Sequence, residues 1–446
     1  MIGDGGEAII VDPRWDIDVY VDIARAERLR IVHIIDTHDH ADHVSGRLRL
    51  AQVTGARAYR SSAGDEPAAD RLGPGDEVTV GAVRITARAT AGHRPEHLTF
   101  EVSDLTRSPE PWMLLTGDSL LVGDVARPDL AYEPAEGARA LHAGLHALLA
   151  LGDHVEVWPA HIGGSLCGGA GLSGKTNSTI GYERRANPLL SMDREQFVST
   201  VTDSLPTRPP NVEHIVALNR RSTAAAPADP AALDAVGLRA LLAAGATVLD
   251  SRAPAQFDAG HVAGSVNLPV TSPGVGTRAG WALDPNEPIV IIAQDAAAAG
   301  ATSAALRSVG FERLRGYAVA DPDAWRDADL PVARAASWEL DQLADGLRAD
   351  AVELVDVREL SEWAGGHIAG SHHVPLARLR DLHSGTIPDR GRTTAVACAA
   401  GVRAAFAASM LRRTGRENVI RVANGGIADL RALGIGLTVA HERPLT

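Results

Sequence analysis

Two segments of this chain repeat one another at a fixed distance, and that repeat constrains the fold more than any other feature. Val248–Pro269 reads VLDSRAPAQFDAGHVAGSVNLP and Leu354–Pro375 reads LVDVRELSEWAGGHIAGSHHVP. The pairs Asp250/Asp356, Arg252/Arg358, Gly260/Gly366, His261/His367, Gly264/Gly370 and Pro269/Pro375 all lie 106 residues apart. Six matches at one offset are hard to obtain by chance. The economical reading is two copies of an α/β module of about 105 residues.

The 446 residues exceed what one hydrophobic core usually holds. Apolar runs also alternate with helical patterns ahead of the repeat, which points to α/β architecture throughout. Glu7–Val11 and Ile31–Ile35 read as strands, Tyr20–Glu27 and Leu48–Val53 as helices. Pro/Ala-rich stretches at Leu205–Pro210 and Ala224–Pro230 punctuate the chain. The expected organisation is a first domain over 1–210, a linker over 211–232, one module over 233–335 and a second over 336–446. Gly3–Gly6 reads as a turn without the strand that a hairpin needs before it. That is the pattern of a truncated or misassigned start, and it leaves a sheet edge unpaired.

A net charge of −13 argues against nucleic acid or an anionic membrane surface as a partner. No apolar run is long enough to span a bilayer, and the first residues show neither a basic n-region nor an apolar h-region. Cys167 and Cys398 are the only cysteines, which excludes a disulfide framework. The chain reads as a cytoplasmic protein with individually placed thiols.

The densest chemical signal is Thr37-His38-Asp39-His40-Ala41-Asp42-His43, directly after the strand-like Ile31–Ile35. In an extended segment His38 and His40 project to one side, so both imidazoles can face one point. Asp42 and His43 reach a neighbouring point. His93 in TAGHRPEH, Asp118 in LLTGDSL and His161 in VWPAHIGGS each follow a strand-like run, where layered α/β folds place functional loops. Six or seven ligand-type residues suit two Zn²⁺ ions that activate water. The same positions suit one Fe²⁺ held by two histidines and a carboxylate. Spacing alone leaves both open.

The order HxHxDH, Gly-His, Gly-Asp and a late His resembles the metallo-β-lactamase superfamily over roughly the first 200 residues, which implies an αββα sandwich. More narrowly, Thr37–Gly46 (THDHADHVSG), Leu115–Leu130 (LTGDSLLVGDVARPDL), Pro159–Gly168 (PAHIGGSLCG) and Ser178–Leu189 (STIGYERRANPL) resemble persulfide dioxygenases fused to rhodanese modules. That resemblance implies a mononuclear Fe²⁺ on His38, His93 and Asp118. It leaves His40, Asp42, His43 and His161 as pocket residues or ligands of a second metal. Many rhodanese-fused relatives carry Phe at the position of His43, and the histidine here completes a hydrolase-type second site, including a dinuclear Zn²⁺ one. The implied reaction inserts both oxygens of O₂ at the outer sulfur of a low-molecular-weight thiol persulfide, giving sulfite and free thiol. Arg127, Tyr182, Arg184 and Arg185 are candidates for binding the carrier's carboxylates or phosphates. Cys167, in the Gly-rich loop after His161, is a candidate relay for substrate sulfur. The rival reading is a glyoxalase-II-like thioester hydrolase.

In the second repeat a strand over Thr394–Ala397 runs into Cys398-Ala399-Ala400-Gly401-Val402-Arg403. This Cys-x-x-Gly-x-Arg loop before a helix resembles the rhodanese active site, so both modules are expected to be rhodanese-like α/β domains with parallel sheets. Loop N–H groups, the helix N-terminus and Arg403 would stabilise the Cys398 thiolate. Such a thiolate takes up sulfane sulfur and hands it on. With sulfite as acceptor the product is thiosulfate. In the first repeat the offset brings Ile292 or Ala293 to the place of Cys398, and neither the Gly nor the Arg has a counterpart. That module is expected to act as a scaffold. Small sulfur compounds and O₂ are the expected partners, and the chain is expected to form a homo-oligomer.

Overall fold

The computed structural model describes all residues except 65–69, 170, 204, 206–207, 222–228, 273, 382–386, 388–390 and 440–446. The chain divides into two compact units, Met1–Arg208 with Val212–Ala226, and Pro209–Asn211 with Pro227–Thr446.

In the first unit two sheets stack face to face between helices. One sheet orders Ile2–Asp4, Glu7–Val11, Arg30–Ile35, Arg57–Ser61 and Asp70–Leu72. The other orders Ser178–Thr179, Glu156–Pro159, Met113–Gly117, Leu98–Asp104, Val83–Ala89 and Glu77–Val80. Strand alternation builds the layers, because successive side chains point to opposite faces. Ile9 and Ile35 enter the core between the sheets with Ile85, Phe100 and Val102. Their neighbours Ile10 and Ile34 pack instead beneath helices Asp18–Ala26 and Arg47–Thr54, with Ile17, Ala24 and Leu50. On the far side Leu114 and Val157 meet Leu141, Leu145 and Leu148 of helix Pro134–Leu149, together with Phe197. Burying one such leucine or phenylalanine contributes roughly 1.5–3 kcal/mol. The result is an αββα sandwich.

Two sequence expectations change here. A strand does precede the Gly5-Gly6 turn: Ile2–Asp4 pairs antiparallel with Glu7–Ile9, so the strand at Glu7 is not left as a sheet edge. A three-residue strand is too short to show hydrophobic periodicity, which is why it was missed. The stretch expected to be a linker contains helix Val212–Asn219, which packs Val212 and Val216 on Ala41 and Leu130 of the first unit. Residues 206–207 and 224–228 of the two Pro/Ala stretches lie outside the described residues.

The second unit holds two parallel sheets. The first orders Val266–Asn267, Thr247–Asp250, Ile289–Ala293 and Leu314–Val319. The second orders Ala336–Trp338, Val419–Val422, Thr393–Ala397, Val352–Asp356 and His372–His373. Ile289–Ala293 and Val352–Asp356 are buried throughout, as expected for central parallel strands covered on both faces.

The repeat is visible side chain by side chain. Arg252 forks onto Asp250 at 2.9 and 2.6 Å and donates to the Gly260 carbonyl at 2.9 Å. Arg358 does the same to Asp356 at 2.9 and 2.7 Å and to Gly366 at 2.8 Å. His261 stacks on Phe257 and His367 on Trp363, each with ring centroids 3.7 Å apart. These repeated residues hold the same loop closed in both copies.

Candidate metal centre and cysteine loop

The metal-type residues of the first unit converge where strand ends of both sheets meet. Strand Arg30–Ile35 feeds the loop carrying His38 to His43. Val83–Ala89 ends just before His93, Met113–Gly117 just before Asp118, and Glu156–Pro159 just before His161. Gly117 lets the two sheets approach. It has φ +50, and a Cβ there would lie 2.7 Å from His97 Nε2 and 2.8 Å from Thr37 Oγ1.

His38, His93 and Asp118 form one fully buried group. Asp118 Oδ2 lies 3.4 Å from His93 Nε2, 3.9 Å from His38 Nε2 and 3.3 Å from His161 Nε2. Among the described residues none of these facing atoms has a hydrogen-bond partner, although all are buried. Buried polar atoms left so are costly and rare. Donors bonded at about 2.1 Å to one ion sit roughly 3.0–3.4 Å apart, so the His93 and His161 spacings to Asp118 fit a metal centre, with His38 about half an ångström further out.

The backs of the two histidines are tied. Thr37 donates its hydroxyl to Asp12 Oδ2 at 2.9 Å and its N–H to Asp12 Oδ1 at 2.7 Å. With its proton so placed, Thr37 Oγ1 accepts from His38 Nδ1 at 2.8 Å. His93 Nδ1 donates to the Arg127 carbonyl at 2.9 Å. Both rings therefore present an Nε2 lone pair, and the partners behind raise its basicity. His97 holds Asp118 by accepting from its backbone N–H at 2.9 Å. Burial, then the neighbouring His93, push His97 down to about 3, which keeps it neutral for that role. Asp118 is held below the usual carboxylate range. Burial opposes this shift, and the His161 and His93 imidazoles outweigh it.

His38 and His40 do not face one point. His40 Nε2 points to Asp12 Oδ1 at 3.1 Å, and Asp12 outweighs the effect of burial to push His40 up to about 10. The loop is irregular rather than extended, so period-two projection fails. A second group forms around Asp42, His161 and Cys167, with His161 Nε2 3.5 Å from Asp42 Oδ2. His43 Nδ1 lies 3.0 Å from Asp42 Oδ1. Burial, then the Asp118 carboxylate, push Cys167 up to about 12, which disfavours its thiolate. A cavity of about 480 Å³ opens beside this cluster, lined by Asp12, Arg14, His40, His43, Trp158 and His161 among others.

The side chains proposed to bind the carrier are engaged away from this cavity. Arg127 is buried and forked onto Asp129 at 2.7 Å by two nitrogens. Arg184 and Arg185 both engage Asp153, and Tyr182 is half exposed beside Lys175. None of the four lines the cavity at the histidines. Four residues that support the centre escaped the sequence reading: Asp12, Thr37, His97 and Asn219. The Asn219 amide donates to the carbonyls of His40 and His43 at 2.9 and 2.8 Å and accepts from Ser45 N–H at 2.8 Å. Asp12 directly follows a strand and Thr37 lies two residues after one, a signal that was readable. Asn219 carried no signal.

In the second unit Cys398 follows strand Thr393–Ala397, and its Sγ accepts from Gly401 N–H at 3.0 Å. Gly401 has φ +85 and starts helix Val402–Arg413, so the helix N-terminus adjoins the sulfur. Arg403 does not supply free charge there. Its fork closes on Glu362 at 2.6 and 2.7 Å. Strand register resolves the first module's counterpart of Cys398. Asp250 pairs with Ile292 as Asp356 pairs with Ala397, so Cys398 corresponds to Ala293. There Asp295 caps helix Ala296–Arg307 by accepting from Ala298 N–H at 2.8 Å, where the second module has its cysteine loop.

The sandwich with its strand-end histidines, followed by paired parallel-sheet modules of which one carries a cysteine at a helix N-terminus, defines a class of fused metal-and-thiol proteins. Residues 1–161 match the metallo-beta-lactamase superfamily, and residues 234–318 and 339–433 match the rhodanese-like domain. The chain belongs to the fusions of a metallo-beta-lactamase domain, homologous to persulfide dioxygenases, with two rhodanese-like domains. It is 28% identical to the mitochondrial persulfide dioxygenase ETHE1 of Bos taurus over 218 residues, 48% of this chain and 79% of that protein. It is likewise 28% identical to a hydroxyacylglutathione hydrolase of Anaeromyxobacter dehalogenans, over 46% of this chain and 86% of that one. A solved metallo-beta-lactamase from Staphylococcus aureus superposes with a TM-score of 0.64 at 26% identity, covering 71% of this chain and 93% of its own. Among the described residues no helix is long and apolar enough to cross a membrane.

Proposed function

We propose that this chain is a non-haem iron persulfide dioxygenase of the cytoplasm with an attached sulfurtransferase. It oxidises a low-molecular-weight thiol persulfide to sulfite and passes sulfane sulfur through Cys398, forming or consuming thiosulfate. One persulfide, one O₂ and one water give thiol, sulfite and two protons. The observation that carries the reading is the triad His38, His93 and Asp118, which His40 does not join: its Nε2 turns onto Asp12 and its Nδ1 groups with Asp42 and His43. Two imidazoles and one carboxylate with open positions suit Fe²⁺. When bound, iron supplies the redox chemistry that joins O₂ to sulfur. Thr37 and the Arg127 carbonyl orient the two imidazoles, His97 fixes the Asp118 backbone, and the adjoining cavity admits the persulfide beside them.

The deciding measurement is metal content with O₂ uptake when a small persulfide is added to protein purified with Fe²⁺. About one iron per chain and persulfide-dependent uptake are expected. Two zincs per chain with no uptake would sink the reading. A second reading, a dinuclear thioester hydrolase, draws on the Asp42–His161 approach and on Asp118 shared between both groups. Cys398→Ser should abolish thiosulfate formation and leave sulfite production intact. Loss of both would contradict separate sites.

A further inference from the structure

The first rhodanese-like module lacks a cysteine loop of its own, yet it packs against the second module near that loop. Its helix Val275–Ala282 packs against the turn Leu376–Asp381 of the second module. Arg380 of that turn donates to the Leu283 carbonyl, at the end of the helix, at 2.8 Å. From this helix Arg278 extends, half-buried, into the electrostatic surroundings of Cys398, Arg403 and Glu359, all residues of the second module. Among the described residues Arg278 makes no hydrogen bond and no ion pair.

Charge balance makes this position informative. Arg403, the cation of the loop motif, is neutralised by its two short bonds to Glu362. Glu359 lies within electrostatic range of both arginines but pairs with neither. Burial, then the neighbouring Arg403, lower the affinity of Arg278 for its proton. An arginine keeps its charge in such surroundings, so a guanidinium without a partner among the described residues stays within electrostatic range of the sulfur. Desolvating such a group without compensation is costly. A planar fork of donors matches a tetrahedral oxyanion.

We propose that Arg278 is the anion-binding residue of the Cys398 site, receiving the sulfonate oxygens of thiosulfate or the oxygens of sulfite, so that the active site is shared by the two modules. The inference rests on the sulfur-transfer reading of Cys398. With thiosulfate, the Cys398 thiolate attacks the outer sulfur and a Cys398 S–S bond forms. The S–S bond of thiosulfate breaks, and sulfite departs with the electron pair. In reverse, the sulfite lone pair takes the outer sulfur from the Cys398 persulfide. No further oxidant or reductant is needed, and Arg278 holds the SO₃ group in both directions. Among relatives of one fold this makes the first module a specificity element rather than a scaffold alone.

Two measurements on the full-length chain test this. The first is calorimetric binding of thiosulfate to Cys398→Ser protein, with and without Arg278→Gln or Arg278→Lys. Arg278→Gln should weaken binding at least tenfold and Arg278→Lys less. Equal binding by all three, or no binding to Cys398→Ser protein, overturns the proposal. The second is thiosulfate-to-cyanide sulfur transfer, in which Arg278→Gln should raise KM for thiosulfate at least tenfold with a smaller fall in kcat. A fall confined to kcat, with a lowered melting temperature, means a structural role and overturns it too. Protein that binds thiosulfate through Arg278 but transfers no sulfur refutes the reading of Cys398 and supports the anion site.

Discussion

At the scale of single residues, the metal centre depends on atoms that touch no metal. The chain Asp12–Thr37–His38 turns a loop histidine into an oriented donor: the carboxylate fixes the hydroxyl proton and the hydroxyl fixes the tautomer. Such supporting partners are worth about 10–100-fold in metal affinity. Thr37→Val, which keeps the shape and removes the hydroxyl, should lower metal affinity by about that factor. A chelator competition with wild-type and variant protein reads it directly, and equal affinities would show that the hydroxyl is incidental. Cys167 is the opposite case. It lies within ligand distance of Asp42 and His161, but its burial favours the thiol.

At the scale of elements, helix Val212–Asn219 serves the centre from a distance in sequence. Its last residue laces the carbonyls of His40 and His43 and the N–H of Ser45 with one side chain. Asn219→Ala would leave these backbone groups unsatisfied at about 1–3 kcal/mol each. Partial rewetting reduces the sum to roughly 2–4 kcal/mol. Urea unfolding of the variant should show that loss together with reduced metal content, and a loss of stability at full metal content would separate the two roles. Helix Ala296–Arg307 shows how the first module differs from the second. Asp295 satisfies one of its N-terminal donors, the Ala298 N–H, so Asp295→Ala should cost about 0.5–2 kcal/mol in denaturant melts. Thiosulfate-to-cyanide transfer at Cys398 should be preserved.

At the scale of the whole molecule, the two rhodanese-like modules form one unit because polar groups as well as apolar ones cross between them. Arg421 pairs with Asp258 at 2.6 Å, both nearly buried, and the Asn267 N–H donates to Ser409 Oγ at 3.0 Å. Burial raises the Asp258 carboxyl above its ordinary value, with Arg421 opposing. A raised carboxyl binds its proton more tightly in the folded state. Its contribution to stability is therefore greatest at low pH and falls as pH rises through the window above ~3.9. Asp258→Asn removes that titration, so the wild-type-minus-variant difference in urea midpoint should decline as pH rises across the window. A difference that grows with pH would mean that Arg421 outweighs burial.

Much of this was legible in the sequence for physical reasons. The continuous apolar runs of Glu7–Val11 and Arg30–Ile35 marked strands covered on both faces. The 106-residue offset announced two like modules, since their Asp–Arg forks and stacked histidines are built from residues local in sequence. Ligand-type residues at strand ends announced a metal centre. Contacts over long sequence separation were not legible. His40 turning onto Asp12, Asn219 closing a loop some 180 residues away, Arg403 held by Glu362 and Arg278 without a partner among the described residues follow from packing. The sequence by itself determined the elements, the repeat and the kinds of donor atom, because local periodicity and short motifs encode them. Only the tertiary structure decided which donors share a point and which charges are already neutralised, because that depends on distances that no sequence spacing carries.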